Sequence, residues 1–194
     1  MSLRDALPDL FLDRSLGRIR VPELLRAAGL RLTTLAEHYG VPEDERVADA
    51  DWLTLAGQRG WAVFMKDARI RYRPAEQAAV RAHAVRCFCL THQGLPGDEM
   101  ARRFLVNLPA ITSACSTPGP FIYAVHATRI QAMPLGCPPG RGVREGHRSA
   151  LLTWPSKRLE DSAIQHSIQH FRRHRVARGI IGRTPEGQNR RSEA

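Results

Sequence analysis

Asp13, Glu37 and Asp67 each stand just beyond an apolar run, and a fourth acid, Asp49, opens a stretch with helical patterning. The runs are Leu10–Leu12, Leu30–Ala36 and Trp61–Met65, the last followed by Lys66. If they are neighbouring parallel strands, carboxylates scattered from 13 to 67 converge on one edge of a sheet. Like charges ~5 Å apart repel by roughly 3 kcal/mol per pair at an effective dielectric near ~20, so such a cluster calls for a cation. Hard carboxylate oxygens suit Mg2+ or Mn2+. Each acid also has a blander reading: Asp13 as the start of a turn, Asp49 as a helix N-cap, Glu37 as a solvated loop acid. Asp67, between a strongly apolar run and a basic one, is the hardest to read as idle. Asp51 competes with Asp49 but is expected to face solvent or support the helix start.

Basic residues crowd the last of these acids. Lys66, Arg69, Arg71 and Arg73 follow or flank Asp67, with Tyr72 among them. Such a stretch can hold phosphates while the ring stacks on a base, although a solvated loop has the same composition. Arg14 and Arg18 flank Asp13 in the same way. His166, His170 and His174 recur every four residues, but the arginines between them favour a polyanion-binding or solvated surface over a metal site. No phosphate-cradling glycine loop, Ser/His/Asp series or dinucleotide fingerprint occurs.

The elements that must place these residues follow from periodicity and punctuation. Val21–Ala28 reads as a helix with Pro22 in its first turn and Gly29 closing it. Asp51–Gln58 and Ala75–Ala84 read as helices, Val85–Leu90 as a fourth strand, Asp98–Leu108 as a further helix and Phe121–Val125 as an edge strand. Alternation of strand and helix predicts a three-layer α/β/α domain around a mainly parallel sheet of four to five strands. Ligands of such sheets bind beyond the strand carboxyl ends, where the acids are expected. The 194 residues suit one core, assigned here to residues 1–134. Residues 135–194, rich in Gly, Pro, Arg and His, are expected to be a basic tail with at most one helix, around Asp161–Val176.

The formal charge of +10 favours polyanions. The excess is uneven, with 17 basic against 14 acidic residues up to Pro134 and 12 against 5 beyond it. Neither a signal peptide nor an apolar run long enough for a membrane span is present, which predicts a cytoplasmic location and no membrane partner. Cys87, Cys89, Cys115 and Cys137 make no CxxC pair and are expected to be reduced and inert.

The string Phe11-Leu-Asp-Arg-Ser-Leu-Gly17 and the stretch from Asp49 through Trp52 to Lys66-Asp67 resemble the short PIN-like domains of the VapC-like toxin class. Ile70–Glu76, Cys87–Thr91 and Gly119–Val125 are similar to one branch of that class, so the resemblance spans about residues 9–134. It implies a Mg2+- or Mn2+-dependent endoribonuclease with Asp13, Asp49 and Asp67 as acidic metal ligands and Glu37 as a fourth. The metal would lower the pKa of a bound water for in-line attack on phosphorus, with an oxygen of Glu37 or Asp49 taking the proton. Arg14, Lys66, Arg69, Arg71 and Arg73 would contact the nucleic acid. The implied partners are an RNA substrate and a small antitoxin protein, with a homodimer left open. One departure stands out: Met65 occupies the place where the family carries Thr or Ser and cannot supply that hydroxyl, so if the hydroxyl limits activity, restoring it with Met65→Thr should raise the rate. A catalytically silent RNA- or protein-binding module is the rival reading, and a metal-dependent DNA nuclease a third.

Overall fold

A computed structural model describes residues 6–135. Its sheet has six strands in the order β2-β1-β3-β4-β5-β6: β1 Leu10–Leu12, β2 Leu32–Thr34, β3 Ala62–Met65, β4 Arg86–Leu90, β5 Phe121–Val125 and β6 Ile130–Met133. The first five run parallel, and β6 returns antiparallel along β5. The helices are α1 Arg20–Ala27, α2 Leu35–Tyr39, α3 Asp49–Gln58, α4 Pro74–Ala82, α5 Gly97–Val106 and α6 Leu108–Cys115. The α/β class and the three layers agree with the sequence expectation. The strand count is corrected from four or five to six, and β5 is an interior strand.

β1 and β3 are buried along their whole length, and their sequences LFL and AVFM are unbroken apolar runs because helices cover both faces of a parallel sheet. One face carries Phe11, Val63, Met65, Cys87 and Cys89, packed with Trp52, Leu53 and Ala56 of α3 and Ala79 and Val80 of α4. On the other, Phe64 stacks on Phe104 of α5 with centroids 4.1 Å apart. The two site-bearing helices approach closely: a Cβ on Gly57 would lie 2.5 Å from both Cβ and the carbonyl oxygen of His83. That position admits only glycine without a shift of α3 against α4.

The predicted strand Leu30–Ala36 is shorter than its apolar pattern. Thr34, the last residue of β2, also caps α2, accepting from the Glu37 backbone N–H at 3.1 Å, while the Glu37 carboxylate accepts from the Thr34 N–H at 2.9 Å. This is a capping box, and it places Glu37 within a helix, not at a strand end. The order of the strands sets the location of the site. From β1 the chain crosses to β2 on one side and later returns to β3 on the other, so a crevice opens between the carboxyl ends of β1 and β3. The expectations for residues 136–194, including the helix around 161–176 and the three tail histidines, lie outside the described residues.

Candidate functional site

Asp13 is the residue after β1, and its backbone N–H donates to the Phe64 carbonyl at 3.0 Å, tying the strand end to β3. Its side chain is buried. The Ser15 hydroxyl donates to Asp13 Oδ2, as does the Ser15 N–H at 3.3 Å. The same hydroxyl accepts from the Lys66 N–H at 2.9 Å, so Ser15 links the ends of β1 and β3. Burial pushes the Asp13 carboxyl above its ordinary range, and the two Ser15 hydrogen bonds oppose the shift without cancelling it.

Asp49 is the first residue of α3. One turn later, fully buried Trp52 donates its indole N–H to Asp49 Oδ1 at 3.1 Å. Arg14 Nη2 reaches the same oxygen at 3.4 Å, while Arg14 Nη1 donates to the Glu45 carbonyl at 2.8 Å and Nη2 also to that of Val47. Arg14 therefore fastens the loop before α3 to the end of β1. The sequence placed Arg14 on nucleic acid; its donors are engaged largely by this loop.

Asp67, two residues beyond β3, accepts on Oδ1 from the Arg69 backbone N–H at 3.0 Å and from Arg69 Nε at 3.1 Å. Burial acts to raise its carboxyl pKa, but the Arg69 hydrogen bonds and the charges of Arg69 and Arg73 outweigh it and leave the group lowered. Arg73, just before α4, touches three acids: Nη1 lies 2.9 Å from Glu76 Oε1 and 3.3 Å from Asp49 Oδ2, and Nη2 lies 3.4 Å from Asp67 Oδ2. Glu76 is buried on α4. Burial raises its pKa, with the Arg73 hydrogen bond opposing.

Asp13, Arg14, Ser15, Val47, Ala48, Asp49, Asp67 and Arg73 line one cleft of about 430 Å³. Three predicted acids thus meet at the β1/β3 crevice. Glu37 does not line it: its carboxylate is bound to Arg26 at 2.7 Å and to its own helix cap. Among the described residues no three carboxylate, imidazole or thiol side chains stand as a group that could hold a metal ion, and the guanidinium groups of Arg14 and Arg73 contact the acids. With Glu76 counted, four carboxylates face the two arginines Arg14 and Arg73. The donor chemistry fits a hard divalent cation, and the side chains would have to turn toward it.

Several residues with a part in this arrangement escaped the sequence reading. Ser15, Trp52 and Glu76 act through partners two or three positions away, and only the Asp49/Trp52 and Arg73/Glu76 spacings, one helical turn each, carried a signal. Met65 is corrected. Its side chain is buried in the apolar cluster with Phe11, Trp52 and Cys89, so a hydroxyl there would enter the core, and Ser15 is the hydroxyl at the acids. Of the basic stretch, Arg69 is three-quarters exposed, and Arg71 lies over the ring of exposed Tyr72 at 4.5 Å. Cys87, Cys89 and Cys115 are free and buried, and burial raises all three thiols, Cys89 to about 12 and Cys115 to about 11. No helix among the described residues is long and apolar enough to cross a membrane.

Residues 8–92 match a family model described as a PIN like domain, a span that holds every side chain of the cleft. A curated relative, named "Putative ribonuclease VapC45", of Mycobacterium tuberculosis, is 43% identical over 130 residues, which make up 66% of this chain and 94% of the relative. No solved structure matches.

Proposed function

Because the chain belongs to the PIN-like family, to which its 43% identity with a near-complete relative ties it, we propose that it is a metal-dependent endoribonuclease and the toxin of a toxin–antitoxin pair. The observation that carries this reading is the meeting of Asp13, Asp49 and Asp67 in one cleft at the carboxyl ends of adjacent parallel strands. Asp13, Asp49 and Asp67 would hold Mg2+ or Mn2+, which when bound supplies an activated water and stabilises the charge of the leaving oxygen. The chain's own residues do the rest. Ser15 fixes the orientation of Asp13, and Trp52 and Arg14 hold Asp49 Oδ1, while Oδ2 has Arg73 Nη1 as its partner at 3.3 Å. Asp49, a third of whose side chain is exposed, takes the water's proton. Lys66, Arg69, Arg71 and Arg73 attract the RNA backbone. The partners in this reading are RNA and a small antitoxin, and the site of action is the cytoplasm.

The name of the relative supports a ribonuclease, and the excess of carboxylate in the cleft supports the cation. The test is cleavage of RNA by the purified full-length chain in Mn2+ and in EDTA, beside Asp13→Asn and Asp67→Asn. Cleavage in Mn2+ alone, lost in both variants, is expected. A specific observation favours a second reading, a silent RNA-binding module: Arg14 and Arg73 already neutralise part of the acidic charge where a cation would sit. RNA binding without Mn2+ binding or cleavage would establish that module and refute the nuclease.

A further inference from the structure

Glu76 has a side chain nine-tenths removed from solvent, yet it neither lines the cleft nor belongs to the ligands named above. A buried carboxylate is costly unless it is paired. Its partner is Arg73 at 2.9 Å, and that arginine is 41% exposed and does line the cleft. The pair is lopsided, with the anion inside and the cation projecting among the acids. Arg73's other two contacts, to Asp49 and Asp67, are longer, at 3.3 and 3.4 Å. A cation on Asp49 and Asp67 would replace those two contacts and leave the Glu76 bond as the tether.

Arg73 is also the arginine suited to the task. Arg14, the other guanidinium of the cleft, is engaged with the carbonyls of Glu45 and Val47. Arg69 is bonded to Asp67 on a largely exposed chain, and Arg71 is stacked on Tyr72. We propose that Arg73 is the group that touches the scissile phosphate, and that Glu76 is the positioning residue that aims it. The proposal rests on the nuclease reading above. In that reaction the water oxygen bonds to phosphorus as the bond from phosphorus to one ribose oxygen breaks. The water's proton passes to Asp49 and the leaving oxygen takes a proton from solvent. Negative charge grows on the non-bridging oxygens, and a planar guanidinium held in place offers them two parallel N–H donors.

The experiment uses the full chain with Mn2+, in wild type, Arg73→Gln, Arg73→Lys, Glu76→Gln, Glu76→Asp and the double variant Arg73→Gln/Glu76→Gln. Thermal midpoints monitor folding, and Arg73→Lys and Glu76→Asp keep the charges should a neutral variant fail to fold. Cleavage of a short RNA is expected to fall about 100-fold in kcat for Arg73→Gln, with KM changed only a few-fold, and about 10-fold for Glu76→Gln, partly restored in Glu76→Asp. A second readout needs no cleavage: binding of a single-stranded DNA oligonucleotide in Mn2+. There Glu76→Gln should weaken binding beside Arg73 and have no effect in the Arg73→Gln background. Equal effects of Glu76→Gln in both backgrounds, or none in either, would overturn the proposal. If the wild-type chain cleaves no RNA the nuclease reading fails by itself, and the oligonucleotide cycle still decides whether Glu76 aims Arg73 at phosphate.

Discussion

Replacing Trp52 by phenylalanine separates the two tasks of one side chain. The ring of Trp52 is fully buried and stacks on Phe11 with centroids 5.9 Å apart, and phenylalanine can keep that contact. What it removes is the indole N–H on Asp49 Oδ1, leaving that oxygen with Arg14 alone at 3.4 Å. A hydrogen bond to a charged group contributes about 1.5–3 kcal/mol. Asp49 is about a third exposed, water replaces part of the bond, and the lower end, about 1.5 kcal/mol, applies. Every 1.4 kcal/mol is about tenfold in affinity, so the Mn2+ dissociation constant should rise about tenfold in Trp52→Phe, within the range for the loss of a group that orients a ligand. The lost ring volume adds about 1–2 kcal/mol of destabilisation without bearing on the metal. The assay pairs calorimetric titration of Mn2+ with urea unfolding, beside Phe104→Leu on the far face of the sheet as a control of similar stability cost. Unchanged Mn2+ affinity in Trp52→Phe, with stability reduced, would show that the indole only packs.

Met65→Thr should destabilise the domain by about 2–4 kcal/mol, by lost volume and a buried unpartnered hydroxyl, and should not speed RNA cleavage; a faster variant in a cleavage assay would contradict the buried position of this side chain. Ser15→Ala removes the hydroxyl shared by Asp13 and the Lys66 N–H, and urea unfolding should register a loss of about 1–3 kcal/mol, with weaker Mn2+ binding in the same titration. Glu99 is held at about 2 by Arg102 first and then Arg103, so its depressed folded-state pKa lends stability above the unfolded value of 4.5 that is lost as pH falls toward 2. The full shift would be about 3 kcal/mol, but solvent screens a surface pair and about 1 kcal/mol remains. Glu99→Gln should therefore be less stable than wild type at pH 7 by about 1 kcal/mol, with the gap closing near pH 2; a gap independent of pH would rule out the carboxylate charge as its source.

Strands buried on both faces announce themselves, and so Leu10–Leu12 and Trp61–Met65 led directly to the acids that follow them. The run at Leu30–Ala36 misled because Thr34-Leu-Ala-Glu37 is a helix-start signature embedded in an apolar stretch, and the hydrogen bonds of the cap end the strand early. α6 was hidden by Pro109, which suits the first turn of a helix as well as a break. β6 has a polar, half-exposed pattern and depends on β5 for its pairing. At the cleft, the sequence displayed the charged residues but not the neutral or buried partners that orient them. Whether Arg14 meets a phosphate or a loop carbonyl is decided by contacts more than 30 residues apart.

The sheet beneath the cleft makes it resemble a calliper with one fixed jaw and one adjustable jaw. Asp13 and Asp67 leave neighbouring strands pinned by the Asp13-to-Phe64 hydrogen bond, and adjacent strands keep a spacing of about 4.8 Å that side-chain changes elsewhere hardly alter. Asp49 stands on a helix end fastened by Arg14 and Trp52, and packing on α4 at Gly57 sets how far that helix can slide. In the metal-dependent reading, ion size would therefore be gauged from the helix side. Substitutions at the α3/α4 contact, remote from every carboxylate, should retune preference among divalent cations of different radius more readily than any change along β1 or β3.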